Sequence, residues 1–378
     1  MNKKRISIVT SGHPPFDDRI FWKFGKSLTE AGFLITIISS TEGTNKSVDG
    51  INIIGFIDSG MRKNEKINQF VKIISEVKPD LIICEEMIPA FGALKYKSRN
   101  NTVKIIFDIT EWYPENVSLK YKGFKKIFKY VQLLFPYIFV LNLMDYLIVG
   151  EKTKLRRYKI IAPLTHKTII GYYPVLKYFN YKKPEVNRDK IILGYAGVIT
   201  FERGIIELLK VCENLSDLYK EKKFKLLLFG KFTYHEEENY FLEIINSVKN
   251  FEIEFVSWVN YNQMSSVIER MDICFDLRKQ NFIYRNSLPI KIFEYMACGK
   301  PFIFSDIEPI RKELDYKYFG FLVNPQNKNE IIDSVKAYIE NPELLQKQSL
   351  QARDFIEKEK NWENESKKLL RLVDDILS

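Results

Sequence analysis

Short apolar runs of strand length recur along the chain, separated by longer stretches of helical periodicity, and this alternation limits the fold more than any other feature. Strands are predicted at 5–10, 33–39, 51–56, 80–84, 103–108 and 146–149, with helices between them, at 18–31 and 66–77 among others. The runs are apolar throughout rather than at alternate residues. Each strand therefore needs cover on both faces, which a parallel sheet flanked by helices supplies. Residues 173–190 break the rhythm with two prolines, several lysines and no periodicity, and read as a linker. The alternation then restarts, with strands predicted at 191–196, 224–229, 253–256, 273–276, 301–304 and 320–323 and helices such as 205–215 and 290–298. Beyond Pro325 the pattern stays helical, and Asn341-Pro342-Glu343 has the form of a helix start with proline in the first turn. The expected fold class is α/β, with two doubly wound domains in tandem. Ligands of such open sheets bind at the carboxyl ends of the strands, so functional side chains are sought in the loops that follow strands.

A chain of 378 residues is too long for one typical core and suits two domains. Its net charge of +10 favours an anionic partner; nucleic acid, an acidic membrane surface and a phosphorylated small molecule all meet that description. No nucleic-acid recognition motif is present, and the aromatic residues fall mostly within predicted strands and helices, so no specific nucleic-acid partner is expected. Cys84, Cys212, Cys274 and Cys298 lie in apolar stretches without metal-ligand spacing, as expected of buried thiols in a reducing, cytoplasmic compartment. The first apolar run is too short for the core of a secretory leader and reads as a buried strand. The charge-free run 130–144 is shorter than the roughly 20 residues that span a bilayer and contains Pro136, so no membrane-spanning helix is predicted. Around that run, residues 119–159 hold ten Lys or Arg and two acids. A basic side beside a bulky apolar one suits a peripheral contact with an anionic membrane; a buried helix with a solvated basic side has the same pattern.

Four strand-following segments carry candidate chemistry. The richest is 285–301, RNSLPIKIFEYMACGKP. Asn286, Ser287, Leu288 and Pro289 form a turn that opens a helix; the helix carries Lys291 and, one turn on, Glu294, and ends at Gly299. Backbone N–H groups at a helix start, with the Lys291 ammonium, suit a phosphate. The Glu294 carboxylate can accept from two vicinal hydroxyls, such as those of a ribose, although a capped helix with both charges solvated reads the same. Residues 194–204, GYAGVITFERG, place Gly197 in a loop after a strand and Arg203 just ahead of the next helix, a second phosphate-binding layout. Residues 11–24, SGHPPFDDRIFWKF, gather Gly12, His13, Asp17, Asp18 and Arg19 after the first strand; Asp18 also stands where a helix cap is expected. Residues 107–115, FDITEWYPE, put Glu111 in another such loop.

The 285–301 segment resembles the nucleotide-binding motif of family-four retaining glycosyltransferases (glycosyl transferases group 1), which have the GT-B fold. Their motif is two acids separated by seven residues, then small residues and Gly-x-Pro. Glu294 matches the second acid, which in the family binds the donor ribose; Asn286 stands at the first, where the family contacts the donor sugar. Arg203 matches a basic residue of the family's glycine loop. Val198 stands where a second cation is expected, which leaves Lys231 as the candidate to help hold the pyrophosphate, or as a solvated loop lysine. Asp108, Glu111, Tyr113 and Pro114 fit a family pattern that often has histidine at the position of Thr110, and the 11–24 loop is similar to loops lining the acceptor side. The resemblance covers most of the chain and is strongest from 191 to 340.

It implies two Rossmann-like domains with parallel sheets facing a central cleft: an acceptor-binding domain over 1–180, a nucleotide-sugar-binding domain over 181–355, and a C-terminal helix over 356–378 packing back toward the first. It implies a retaining, hexosyltransferase-type enzyme that moves a sugar from a UDP- or GDP-linked donor to a saccharide or lipid-linked saccharide acceptor. The expected setting is cell-surface polysaccharide synthesis in the cytoplasm, at the inner face of the membrane, with no metal or other cofactor. Arg203, Lys291 and Glu294 are then the catalytic set. Gly197, Lys231, Asn286, Ser287 and Leu288 complete the donor site, and Gly12, His13, Asp18 and Glu111 meet the acceptor. A sugar-nucleotide epimerase of the same fold and a basic nucleic-acid-binding protein are the competing readings.

Overall fold

The apolar runs pair into two sheets, one in each of the two units into which the chain divides. The computed structural model describes residues 3–185, 189–246, 248 and 250–378. The first unit is Met1–Tyr172 together with Trp362–Ser378. Its strands are β1 (Arg5–Thr10), β2 (Leu34–Ser39), β3 (Asn45–Val48), β4 (Ile51–Gly55), β5 (Leu81–Cys84), β6 (Lys104–Ile109), β7 (Tyr146–Val149) and β8 (His166–Ile169). They lie in the order β3-β4-β2-β1-β5-β6-β7-β8. All pairings are parallel except β3 with β4, which turn through Asp49 and Gly50, both at positive φ. The expected parallel sheet thus carries one antiparallel edge, made by an Asp-Gly hairpin. β3 and β8 are short, largely polar strands that no apolar run announces.

The second unit, Tyr173–Asn361, holds β9 (Lys190–Ile199), β10 (Lys223–Phe232), β11 (Glu252–Ser257), β12 (Ile273–Asp276), β13 (Phe302–Ser305) and β14 (Gly320–Val323). This sheet is wholly parallel, in the order β11-β10-β9-β12-β13-β14. In both units the order runs outward in two directions from the first strand. The switch points, where a doubly wound sheet offers a crevice to ligand, are therefore β1/β5 and β9/β12.

Three expectations about connections change. Of the 173–190 stretch, residues 186–188 lie outside the described residues, and 173–185 form a strap bound to the second unit rather than a loose linker. Phe179 is fully buried, the Val175 N–H donates to Tyr261 Oη (3.1 Å), and the Asn180 N–H donates to Ser265 Oγ (2.9 Å). The C-terminal break falls at 361/362, not 355/356. The helix Pro342–Lys358 belongs to the second unit, where Arg353 Nη1 donates to the carbonyls of Phe179 and Ala297. The helix Trp362–Leu377 instead serves the first unit: Trp362 Nε1 donates to Ser27 Oγ (2.8 Å) and its ring lies 5.7 Å from that of Phe24. Finally, all but the last residue of the 130–144 run lies in a helix spanning Gly123–Leu143, with Pro136 inside it. Its 21 residues are long and apolar enough to cross a membrane by length and composition, contrary to the expectation drawn from the shorter run.

Candidate functional site

At the switch point of the second sheet, two glycines let backbone and charge pack closely. Gly197 on β9 and Gly230 on β10 are ladder partners, at φ of 134° and 153°. A Cβ on Gly230 would overlap the Gly197 carbonyl, so only glycine fits there; at Gly197 the positive φ itself favours glycine, and the Lys291 ammonium fills the space a Cβ would take. Lys291 is half-buried at the start of the helix Lys291–Ala297, its Nζ 3.4 Å from Tyr195 Oη. Tyr295, on the same helix, accepts the Ala196 N–H through its hydroxyl (2.7 Å) and so anchors that helix to β9. Arg203 precedes Gly204, whose left-handed backbone opens the helix Ile205–Leu218. The Arg203 guanidinium lies 3.9 Å from Asp276 and 5.2 Å from the centre of the Tyr284 ring. Its buried Nε has no hydrogen-bond partner among the described residues.

Asp276, fully buried at the end of β12, receives both Nε (2.8 Å) and Nη2 of Arg278. Three cations therefore converge on one carboxylate. Burial, then the nearby Arg203, pull the Lys291 pKa down to about 7 against the attraction of Asp276. Burial alone would raise the Asp276 carboxyl, but Arg278, Arg203 and Lys291 hold it below the ordinary range. The crevice carries more positive charge than its own acid neutralises.

Gly197, Arg203 and Lys291 are thus brought together, and Glu294 lies buried one turn along the same helix. Arg278 and Asp276 were missed; Asp276 is the last residue of a predicted strand and Arg278 lies just beyond its end, where the other loops were sought. The helix start differs from expectation. Residues 282–286 form a helix of their own, and the Ile292 and Phe293 N–H groups already donate to the Pro289 (3.3 Å) and Ile290 (3.0 Å) carbonyls. Two of the amides expected to face a phosphate are therefore occupied. Ser287 and Leu288 are half-buried in the intervening turn. Asn286 donates its amide to the Phe282 carbonyl (2.7 Å) and, with Arg285, Asp306 and Arg311, lines a cavity of about 840 Å³ beside the ends of β13 and β14. Lys231 is exposed on β10, in register with Val198, the position short of a cation.

The first unit's switch point holds a different cluster. Glu86 accepts from Thr10 Oγ1 (3.0 Å) and from the Ser11 and Gly12 N–H groups (2.9 Å each), pinning the loop after β1. His13 Nδ1 is 3.2 Å from Asp17 and Nε2 is 3.5 Å from Glu85. Burial lowers the His13 pKa, but Asp17 and Glu85 outweigh it and raise it to about 10. Burial, reinforced by Asp108, lifts the Glu85 carboxyl well above the ordinary range, and neither of its oxygens has a hydrogen-bond partner among the described residues. By distance, His13, Glu85 and Glu86 could hold a metal ion. In the structure Glu86 already accepts those three hydrogen bonds, and His13 pairs with Asp17. Gly12, His13, Glu85 and Glu111 line one cavity of about 340 Å³.

Asp18 does not join them. Asp17 caps the first turn, accepting the Arg19 N–H (2.9 Å), while Asp18 pairs with the buried Lys23 (2.7 Å) at the head of a π-helical stretch, Asp18–Gly25. Arg19 is a core residue, bonded through Nε (2.5 Å) and Nη2 (2.8 Å) to the buried Asp108. Glu85 and Glu86 were not anticipated, although they too directly follow a strand.

Comparison with known proteins agrees with this fold. Residues 178–355 match the family described as Glycosyl transferases group 1. An uncharacterized glycosyltransferase of Haemophilus influenzae is 26% identical over 377 residues, covering 93% of this chain and 95% of that protein. Sucrose-phosphate synthase from Thermosynechococcus elongatus superposes with a TM-score of 0.76 at 14% identity, over 99% of both chains. Anabaena HepE, solved with UDP and glucose, gives a TM-score of 0.73 at 11% identity, over 98% of this chain and 100% of that one. With two doubly wound sheets, a cationic crevice at the second switch point and this match over residues 178–355, the chain has the GT-B fold, and its second unit is similar to the glycosyl transferases group 1.

Proposed function

We propose that the chain is a retaining enzyme that transfers a hexosyl group from a UDP- or GDP-linked sugar to a saccharide or lipid-linked saccharide, in cell-surface polysaccharide synthesis on the cytoplasmic side of the membrane. One observation carries this reading: Arg203, Arg278 and Lys291 converge on Asp276 at the β9/β12 crevice, leaving a surplus of positive charge for a diphosphate. As the bond from the sugar's anomeric carbon to the diphosphate oxygen breaks, negative charge grows on that oxygen. Cations already in place stabilise it without reorganising. Arg203 and Lys291 take this role, and Gly197 lets the diphosphate approach the backbone. Glu294 accepts from the pentose hydroxyls, and Lys231, Asn286, Ser287 and Leu288 complete the donor contacts. The acceptor oxygen bonds to the anomeric carbon on the same face, and its proton passes to a donor phosphate oxygen, so neither a protein base nor a metal is needed. Gly12, His13 and Glu111 meet the acceptor. The structures of HepE with UDP and UDP-glucose support a uridine donor as the first to try.

A thermal-shift screen against UDP, GDP, ADP and CMP sugars should show stabilisation by one nucleotide class. Glu294→Ala should remove that shift and lower turnover by about a hundredfold, the loss of a pair of charge-assisted hydrogen bonds, with an unchanged circular dichroism spectrum. Full turnover in the variant would sink this site. Donor supplied alone should give at most slow hydrolysis; an epimerised donor would point to the epimerase instead.

A further inference from the structure

We propose that the exposed face of the 123–143 helix is a docking surface for an anionic lipid bilayer, on which the helix lies in the plane of the headgroups. The proposal deepens the reading of transfer at a membrane, and it stands on the helix alone.

Phe124, Phe128, Val131, Phe135 and Phe139 recur at steps of four, three, four and four, which puts them on one helical face. They are 78%, 61%, 43%, 68% and 63% exposed, with Ile127 and Leu143 also open. Single exposed apolar residues are ordinary, but a continuous stripe of phenylalanines is a contact surface. Beyond the helix, Ile160 and Leu164 are 72% and 92% exposed. The bond from Asn142 Nδ2 to the Ile161 carbonyl (2.9 Å) holds that segment against the helix's C-terminal end.

The opposite face decides between lying on a bilayer and crossing it. Tyr137, Val140 and Leu141 are buried in the core of the first unit, with Tyr137 Oη 3.1 Å from Tyr158 Oη and its ring packed edge-on to Phe107 of β6. A helix committed on one side to a globular core cannot be encircled by lipid, so it lies at the interface. Charge selects the occupant. Residues 119–129 carry Lys120, Lys122, Lys125, Lys126 and Lys129 and no acid. A second copy laid against this face would bring another set of lysines; an anionic bilayer complements both the phenylalanines and the lysines.

The test is co-sedimentation of the full chain with phosphatidylcholine vesicles, with and without phosphatidylglycerol. Binding should require phosphatidylglycerol and weaken with salt. It should fall about tenfold or more in the triple variant Lys125→Ala, Lys126→Ala, Lys129→Ala, and disappear in Phe128→Glu with Phe135→Glu. All altered side chains are exposed or on the helix surface, so melting curves should match the parent, and the nucleotide-induced shift should persist in both variants. The proposal is overturned by parent-level binding in the variants, by equal binding to neutral vesicles or none to either kind, by a dimer that the Phe→Glu changes split, or by resistance to alkaline carbonate extraction, the mark of a spanning helix. Loss of nucleotide binding with vesicle binding intact would count against the transfer reading alone.

Discussion

Lys291 carries its charge where the surroundings penalise it, and that tension has a measurable consequence. Its pKa near 7 lies below that of a lysine in the unfolded chain, so between the two values the native state binds fewer protons. Over that window folding stability rises with pH, while below about pH 7 the cost of the buried charge is fully present. A bound diphosphate favours the ammonium and so takes up a proton. Affinity for UDP should therefore fall by about tenfold per pH unit above pH 7 until the lysine titrates in the complex, and Lys291→Met should flatten the slope. Calorimetric titration across that range checks this; a slope that survives in the variant assigns the proton elsewhere. Gly197, Arg203 and Lys291 were legible in the sequence because a glycine directly after a strand and cations at the starts of the following helices form a phosphate-binding layout. Asp276 and Arg278 were not, because a charged pair at the end of a strand has no distinctive spacing. Asp18 misled for a related reason: two adjacent aspartates compete for one cap, and only the backbone decides that Asp17 takes it.

The helix Trp362–Leu377 shows how one element completes a core begun far away in sequence. Trp362 is buried against Phe24, and Glu365 accepts the Gly171 N–H at 2.7 Å, so both ends of the first unit's chain meet this helix. Trp362→Ala should cost about 3–5 kcal/mol and lower the melting of the first unit, read by tryptophan-independent far-ultraviolet circular dichroism; a loss near zero would mean the helix is dispensable there. Elements with a strong apolar period were readable at nearly their observed bounds, as β1, β7 and β12 show. Those held by other means were not. β3 is a polar edge fixed by its turn, and the strap over 173–185 is held by side chains 80 or more positions away, among them Tyr261 and Ser265. The 123–143 helix was half-read because its lysine-rich first turns carry no apolar core signal of their own.

Two units, each with its own sheet and core, predict two cooperative transitions rather than one. In differential scanning calorimetry a bound nucleotide should raise only the transition of Tyr173–Asn361, since ligand stabilises the body that holds it. A single transition shifted as a whole would show that the two melt together. The path of the chain adds an asymmetry in time. The second unit is an insertion within the first, entered after Tyr172 and left before Trp362. On the ribosome, the body begun first is therefore finished last: its sheet emerges early, waits while the entire inserted unit is made and folds, and gains the tryptophan that seals Phe24 only when translation passes 362. Until then a nascent chain exposes that gap to chaperones, while the inserted unit can already be native.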